Sequence, residues 1–295
     1  MKSRVESKEI KLLKKVSLSD LTTLRLGGIA EEVCFVQNED QLNIVVENCR
    51  EQRKKYLIIG SGSNLLFTDA GFKGVIIKLQ GDFKKIEVMD KNIIVGAGVK
   101  LSELIELCRN SSISSIEHLF GIPGTIGGAI SMNAGSKWGS IGDVAVMVKT
   151  IGRDWREISE NEFKYRKGIT DYVTFVQLKC EEKEKEEIEN TISQIKKFRK
   201  NNQPAEARSA GSVFMNPQGQ SAGKLIENAG WRGKKVGNIL VSDKHANHII
   251  PLENAKADEY IGVLSKIRND VFVKFSVLLE PELRIYRSEG TLYEF

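Results

Sequence analysis

Residues 121–135 read GIPGTIGGAISMNAG. The run holds five glycines, one proline and no charged side chain, and the rest of the chain orders itself around it. Glycine has no Cβ, so its backbone N–H groups approach a ligand closely, and successive N–H groups facing one concavity make an anion site. A buried glycine-rich turn in a tight core is the competing explanation for such a run alone. A second small-residue loop, GSGSN at 60–64, follows the strand-like stretch 56–59 and favours the ligand reading. Neither loop has the G-x-G-x-x-G or G-x-x-x-x-G-K-[ST] spacing, so the cradle is of another kind.

Composition narrows the classes. A chain of 295 residues suggests two or three domains. Lys and Arg total 44 against 39 Asp and Glu, a net charge of +5. The cations are spread along the chain, which argues against nucleic acid. The opening MKSRVESKEIKLLKK lacks the apolar core of a signal peptide, and no apolar run spans a membrane. Cys34, Cys49, Cys108 and Cys180 sit in apolar patterns without C-x-x-C spacing, which reads as buried free thiols in a reducing cytoplasm. His118, His245 and His248 have no acid or cysteine at zinc-ligand spacing, so no metal is expected.

Taken in order, residues 1–20 read as a polar lead-in. Residues 31–36 suggest a strand, and 41–54 a helix, with Leu42, Val45, Val46 and Cys49 on one face and Asn38 as its N-cap. Strands are expected at 56–59, 75–79, 85–89 and 92–95, then a helix carrying Leu101, Leu104, Ile105 and Cys108. Further strands fall near 144–151 and 173–180. Residues 181–200 form the clearest helix, acidic at its start and basic at its end as the helix dipole favours. Beyond it 221–228 and 256–268 read as helices, and 272–285 as a long strand with a bulge or edge at Pro281. Single helices between strands point to an α+β layer rather than a doubly wound parallel sheet.

The pair GSGSN…D…G at 60–71 and the 121–135 run resembles the FAD-binding domain of the UDP-N-acetylenolpyruvoylglucosamine reductases, within the vanillyl-alcohol-oxidase (PCMH) type of flavin fold. Four further stretches carry the specific likeness: Tyr165-Arg166, GSVFMNP at 211–217, LIENAGWRG at 225–233 and PELR at 281–284. The match runs from about residue 21 to 285. It implies an α+β FAD-binding domain over 21–190, in lobes of about 21–80 and 81–190, and a C-terminal α+β substrate-binding domain over 191–295. One class of relatives inserts a tyrosine-bearing loop between the YR and GS motifs. Here a predicted strand and helix fill most of that interval, as in the shorter class.

The resemblance implies a cytoplasmic, monomeric flavoenzyme of peptidoglycan synthesis. NADPH would reduce tightly bound FAD, and the enolpyruvyl ether of UDP-N-acetylglucosamine would then become UDP-N-acetylmuramate. FAD contacts are implied for Arg25, for Gly60, Ser61, Gly62, Ser63 and Asn64, and for Gly121, Ile122, Pro123, Gly124, Thr125, Gly128 and Ala129. Backbone amides would neutralise the pyrophosphate without a lysine. The catalytic set it implies is Arg166, Ser212 and Glu282. A guanidinium suits a carboxylate whose charge changes during reaction, a well-placed hydroxyl can hand over one proton, and an acid beside the reacting carbon assists. Substrate contacts are implied for Tyr165 and Asn216, with Arg232 and Lys244 as diphosphate partners. The chain departs from the family at Ser61 (usually Gly), Met215 (Lys), His248 (Phe) and Pro251 (Asn). Another flavin oxidase or dehydrogenase of the superfamily, or a nucleotide-sugar-binding protein without flavin, would explain the glycine loops but not the four later motifs.

Overall fold

A computed structural model describes residues 9–204 and 208–295. The chain divides into two compact units that interleave in sequence. One takes the chain up to Val16, Glu31–Gly60 and Gly74–Glu189; the other takes Ser17–Ala30, Ser61–Lys73 and Asn190–Phe295.

The first unit opens with β1 (Lys11–Ser17), β2 (Ile29–Val36), α1 (Glu39–Glu51) and β3 (Lys55–Ile58). Then come β4 (Leu65–Phe67), which belongs to the second unit, and β5 (Phe72–Leu79). The sheet order is β1-β2-β5-β3, with β3 and β5 parallel. Helix α1 starts where its cap dictates: the Asn38 side chain accepts from Gln41 N at 3.0 Å. It buries Leu42, Val45, Val46 and Cys49 against Val36, Val75, Ile77 and Phe83. Part of the expected lead-in is the edge strand β1. Its side chains are mostly exposed, so side-chain pattern carried no signal. Its lysines suit an unpaired sheet edge.

A five-stranded antiparallel sheet follows, built from β6 (Ile86–Met89), β7 (Asn92–Gly96) and the strands Ala145–Thr150, Arg156–Glu157 and Val173–Lys179. Between β7 and Ala145 lie α2 (Leu101–Asn110), with Leu101, Leu104, Ile105 and Cys108 buried, and the short helix α3 (Ile126–Met132). The glycine run is thus not all loop; half of it is helix. Helix α4 (Lys185–Asn202) carries acids first and bases last, as expected.

The second unit packs α5 (Ala222–Asn228) and α6 (Ala257–Phe275) in one apolar cluster. A three-stranded antiparallel sheet, Lys235–Val236, Ile239–Val241 and Ile249–Pro251, lies beside them. Strand β4 pairs in parallel with Arg284–Tyr286, 219 residues later in the chain for each pair, Leu65 opposite Arg284. The expected strand over 272–285 is a correction. Helix α6 runs through to Phe275 and ends at Ser276, whose φ is 54°. The β-prone run there misled, because Phe272 and Val273 are 49% and 72% exposed, riding the outer face of a helix whose inner face holds Leu264, Ile267 and Val271. Asp69 caps that helix at its start, accepting from Ala257 N at 3.1 Å and Asp258 N at 3.0 Å. Among the described residues no helix is long and apolar enough to cross a membrane.

Candidate functional site

In the first unit Gly60 meets the glycine run. Gly60 follows β3, and a Cβ there would stand 2.2 Å from Thr125 Oγ1. Thr125 caps α3: its Oγ1 accepts from Gly128 N at 3.4 Å and its carbonyl from Ala129 N at 2.8 Å. The glycines of the run separate by purpose. Gly127 is small for packing, since a Cβ would meet Ala97 Cβ at 2.9 Å. Gly128 is exposed, and a Cβ there would meet only Thr125 Oγ1, at 3.6 Å. Among the described residues nothing requires Gly128 to be small, and a glycine there leaves the backbone open to close approach.

The run does not offer every amide to a ligand. The N–H groups of Ile122, Ile126, Gly127 and Ala129 donate to Leu119, Val99, Ala97 and Thr125 carbonyls. The 60–64 loop is built differently. Its carbonyls at Gly60, Gly62 and Asn64 accept from Lys78 Nζ, Thr23 N and Arg284 N. In a trans peptide the N–H points opposite to the C=O before it, so tethering alternate carbonyls turns the Ser61 and Ser63 amides the other way. Lys78 was missed at the sequence level, where a lysine in the apolar run VIIKL was the available signal. Burial, with Lys84 adding repulsion, lowers its pKa from 10.5 to about 8.

Tyr165 and Arg166 form the tip of a tight turn closed by Lys164 and Lys167. Lys164 N donates to Lys167 O at 2.8 Å, and Lys167 N to Lys164 O at 3.0 Å. Arg166 sits at the left-handed position, φ 57°, with its guanidinium carbon 5.1 Å from the Tyr165 ring centre. A two-residue turn has no period, which is why EFKYRKG showed neither helix nor strand. The turn hangs from the far end of α3. Asn133, the αL cap of that helix, donates from Nδ2 to Lys164 O at 3.1 Å, and Gly168 N donates to Ser131 O at 3.3 Å. Seven residues of helix, about 10 Å at 1.5 Å per residue, therefore separate Thr125 from the support of Arg166.

The second unit joins the other motifs. Arg25 has φ 52° in a turn whose Thr23 N donates to Gly62 O at 3.2 Å. A Cβ on Gly62 would lie 2.1 Å from Leu21 O, so only glycine lets the two come together. Asn64 Nδ2 donates to Glu282 O at 3.0 Å, and Arg284 N to Asn64 O at 3.1 Å. Glu282 N donates to Val213 O at 2.8 Å, while Met215 N donates to Glu280 O at 2.8 Å. The half-buried Ser212 and Glu282 thus stand on adjacent, antiparallel segments. Asn64, expected at the cofactor, spends its amide on the glutamate's own backbone.

Other expected contacts are already engaged. Asn216 Oδ1 accepts from Ala222 N at 3.0 Å, at the start of α5. Arg232 pairs with Glu227 at 2.6 Å and donates to the Asp243 carbonyl at 2.6 Å, which brings it beside the exposed Lys244. The His245 and His248 rings lie tilted at 58° with their centres 4.8 Å apart. Burial, then His245 and Arg199, push His248 down to about 3. Among the described residues no three metal-ligating side chains come together. All four cysteines are buried and unpaired, and burial raises Cys34 to about 11 and Cys108 to about 12.

Two family models match the chain. Residues 203–286 match the family described as UDP-N-acetylenolpyruvoylglucosamine reductase, C-terminal domain, and residues 30–154 match an FAD binding domain. The chain is 37% identical to the UDP-N-acetylenolpyruvoylglucosamine reductase of Carboxydothermus hydrogenoformans, covering 93% of each chain. It is 35% identical to that of Lachnoclostridium phytofermentans, over 91% of this chain and 90% of the other. The crystal structure of the Thermus caldophilus enzyme superposes with a TM-score of 0.80 at 34% identity, covering 94% of this chain and 98% of that one.

Proposed function

The chain belongs to the UDP-N-acetylenolpyruvoylglucosamine reductase family and is an FAD-dependent oxidoreductase of peptidoglycan precursor synthesis; from that premise we propose how its own residues divide the work. The loops fit a flavin diphosphate. Gly128 leaves room that no neighbour fills, and the 60–64 loop has its carbonyls tethered away from the Ser61 and Ser63 amides. Gly60–Asn64, Gly121–Gly124, Thr125, Gly128, Ala129 and Arg25 hold FAD, with Lys78 fixing the Gly60 peptide. FAD bound there would supply the hydride chemistry that links NADPH to the methylene carbon of the enolpyruvyl ether.

Arg166 receives the substrate carboxylate. Its forked donors oppose the negative charge that builds next to that carboxylate, an electrostatic contribution that is often the largest in catalysis. Ser212 Oγ delivers a proton to the carbon bearing the carboxylate, and Glu282 restores the proton to the hydroxyl. Tyr165, Asn216, Arg232 and Lys244 bind the UDP-sugar, the last two as cations for its diphosphate. The reading extends to a cytoplasmic monomer that takes small molecules and neither nucleic acid nor membrane; buried unpaired thiols suit a reducing compartment.

The backbone bond from Glu282 to Val213, which sets the acid's segment beside the serine's, is the observation that carries this assignment. Ser212→Ala tests it. Rapid mixing should show flavin reduction by NADPH at the wild-type rate and reoxidation by the enolpyruvyl substrate slowed by about 100-fold or more, the range for losing a general acid. Equal effects on both halves would overturn the role of Ser212.

A further inference from the structure

The segment that carries Ser212 is held on two edges. On one, Glu282 N and Met215 N pair it with the 280–282 segment, an antiparallel bridge centred on Phe214 and Pro281. That geometry points the N–H and C=O of Phe214 to the opposite edge, where no strand runs among the described residues. Asn247 stands there instead. Its Oδ1 accepts from Phe214 N at 3.0 Å, its Nδ2 donates to Phe214 O at 2.8 Å, and its backbone carbonyl accepts from Val213 N at 3.0 Å. A carboxamide presents the same donor and acceptor pair as a peptide group, so one side chain does the work of a third strand. Asn247 is 2% exposed and Phe214 1%; water cannot take over these bonds.

We infer that Asn247 is a positioning residue for proton delivery, holding the 212–214 backbone so that Ser212 keeps its place beside Glu282. The inference rests on the role proposed for Ser212. Asn247 touches neither reacting atom in this scheme; it acts through Val213 and Phe214, the two residues that follow the serine. Its own amide is oriented in turn by His245, whose Nδ1 accepts from Asn247 N at 3.3 Å. Burial lowers the His245 pKa, which keeps that acceptor neutral around pH 7.

The test uses holoenzyme carrying Asn247→Asp and Asn247→Ala, with Ser212→Ala alongside. Aspartate keeps the shape and the acceptor for Phe214 N, but an ionised carboxylate sets an oxygen against the Phe214 carbonyl. A protonated carboxyl restores the donor, and burial favours that form. Stopped-flow traces should show NADPH reduction of the flavin within about twofold of wild type in both variants. Substrate-driven reoxidation should fall about 10- to 100-fold, the cost of roughly an ångström of misplacement. In Asn247→Asp that deficit, taken as a ratio to wild type at each pH, should shrink as pH is lowered; in Asn247→Ala it should not. A solvent deuterium isotope effect on reoxidation larger than wild type should accompany the deficit. Reoxidation at the wild-type rate, both half-reactions slowed alike, or variants that retain no FAD at any pH would each overturn the inference. If Ser212→Ala itself fails to separate the two half-reactions, the underlying role of the serine fails instead.

Discussion

Gly168→Ala probes the support of Arg166 by a change two residues away that removes no functional group. The glycine does not have a left-handed φ, so backbone preference is not the obstacle. A Cβ at 168 would lie 1.9 Å from the Ile130 carbonyl oxygen and 3.0 Å from Asn133 N. Ordinary contact distances are about 3.5 Å, so the 164–168 turn and the C-terminal turn of α3 must part by more than an ångström. Both partners are backbone, and neither can rotate away as a side-chain tip would. Overpacking of this kind costs about 1–3 kcal/mol, or a fall in Tm of about 2–4 °C per kcal/mol in a chain of this size class. The same displacement moves Arg166 relative to the glycine run, and an ångström at a reacting centre costs about 100-fold in rate. Differential scanning calorimetry and the two half-reactions measure these separately. Turnover with the enolpyruvyl substrate should drop while FAD content and reduction by NADPH persist. Gly262→Ala, on α6 with nothing within 4 Å of the new methyl, is the matched control and should be neutral or stabilising by up to about 1 kcal/mol. A Gly168→Ala protein with native Tm and native turnover would refute the claim that α3 carries the YR turn.

Two further predictions concern pH. Lys78 has a folded pKa of about 8 against its usual 10.5, so between those values the unfolded chain holds a proton that the folded chain has released, and stability rises with pH across that window; urea unfolding of flavin-free protein from pH 8 to 10.5 should show this rise, and Lys78→Met should lack that part of it. His248, lowered from 6.5 to about 3 by burial first and then by His245 and Arg199, gives the same sign lower down: the unfolded chain takes up a proton below about 6.5 that the folded chain refuses, so stability falls on acidification. His248→Phe, which keeps an aromatic ring without a titratable group, should flatten the unfolding free energy between pH 6.5 and 4, and an unchanged slope would show that other groups govern acid lability.

What could be read from the residues was what has a period or a local partner. Asn38 capping α1, the buried stripe of α2 and the charge order of α4 are decided within one or two turns of chain, and each is where pattern placed it. The second unit's helix α6 shows the limit: Phe272, Val273 and Phe275 have strand composition, but the helix continues because its other face is already committed to the core. Lys78 stood out only as a lysine in an apolar run, and the roles of Lys78 and Asn247 were unreadable for a different reason. Each acts on a backbone group more than 15 residues away, Gly60 O and the Phe214 peptide, and such partners carry no residue signature.

The motifs recognised at the sequence level are therefore joined largely by groups that motifs do not record. Ser212 and Glu282 meet through Val213 O and Glu282 N, which any residues at those positions would supply. What selects that register over a neighbouring one is side-chain amide on each outer edge: Asn64 on the Glu282 carbonyl and Asn247 on the Phe214 peptide. A slip of one residue would turn the serine to the other face of the segment and leave both amides without their partners, the buried Asn247 at a larger penalty than its bonds themselves confer. Specificity of register, more than added stability, is what the two asparagines contribute, and it explains how the proposed proton donor Ser212 can be held on a segment only a few residues long.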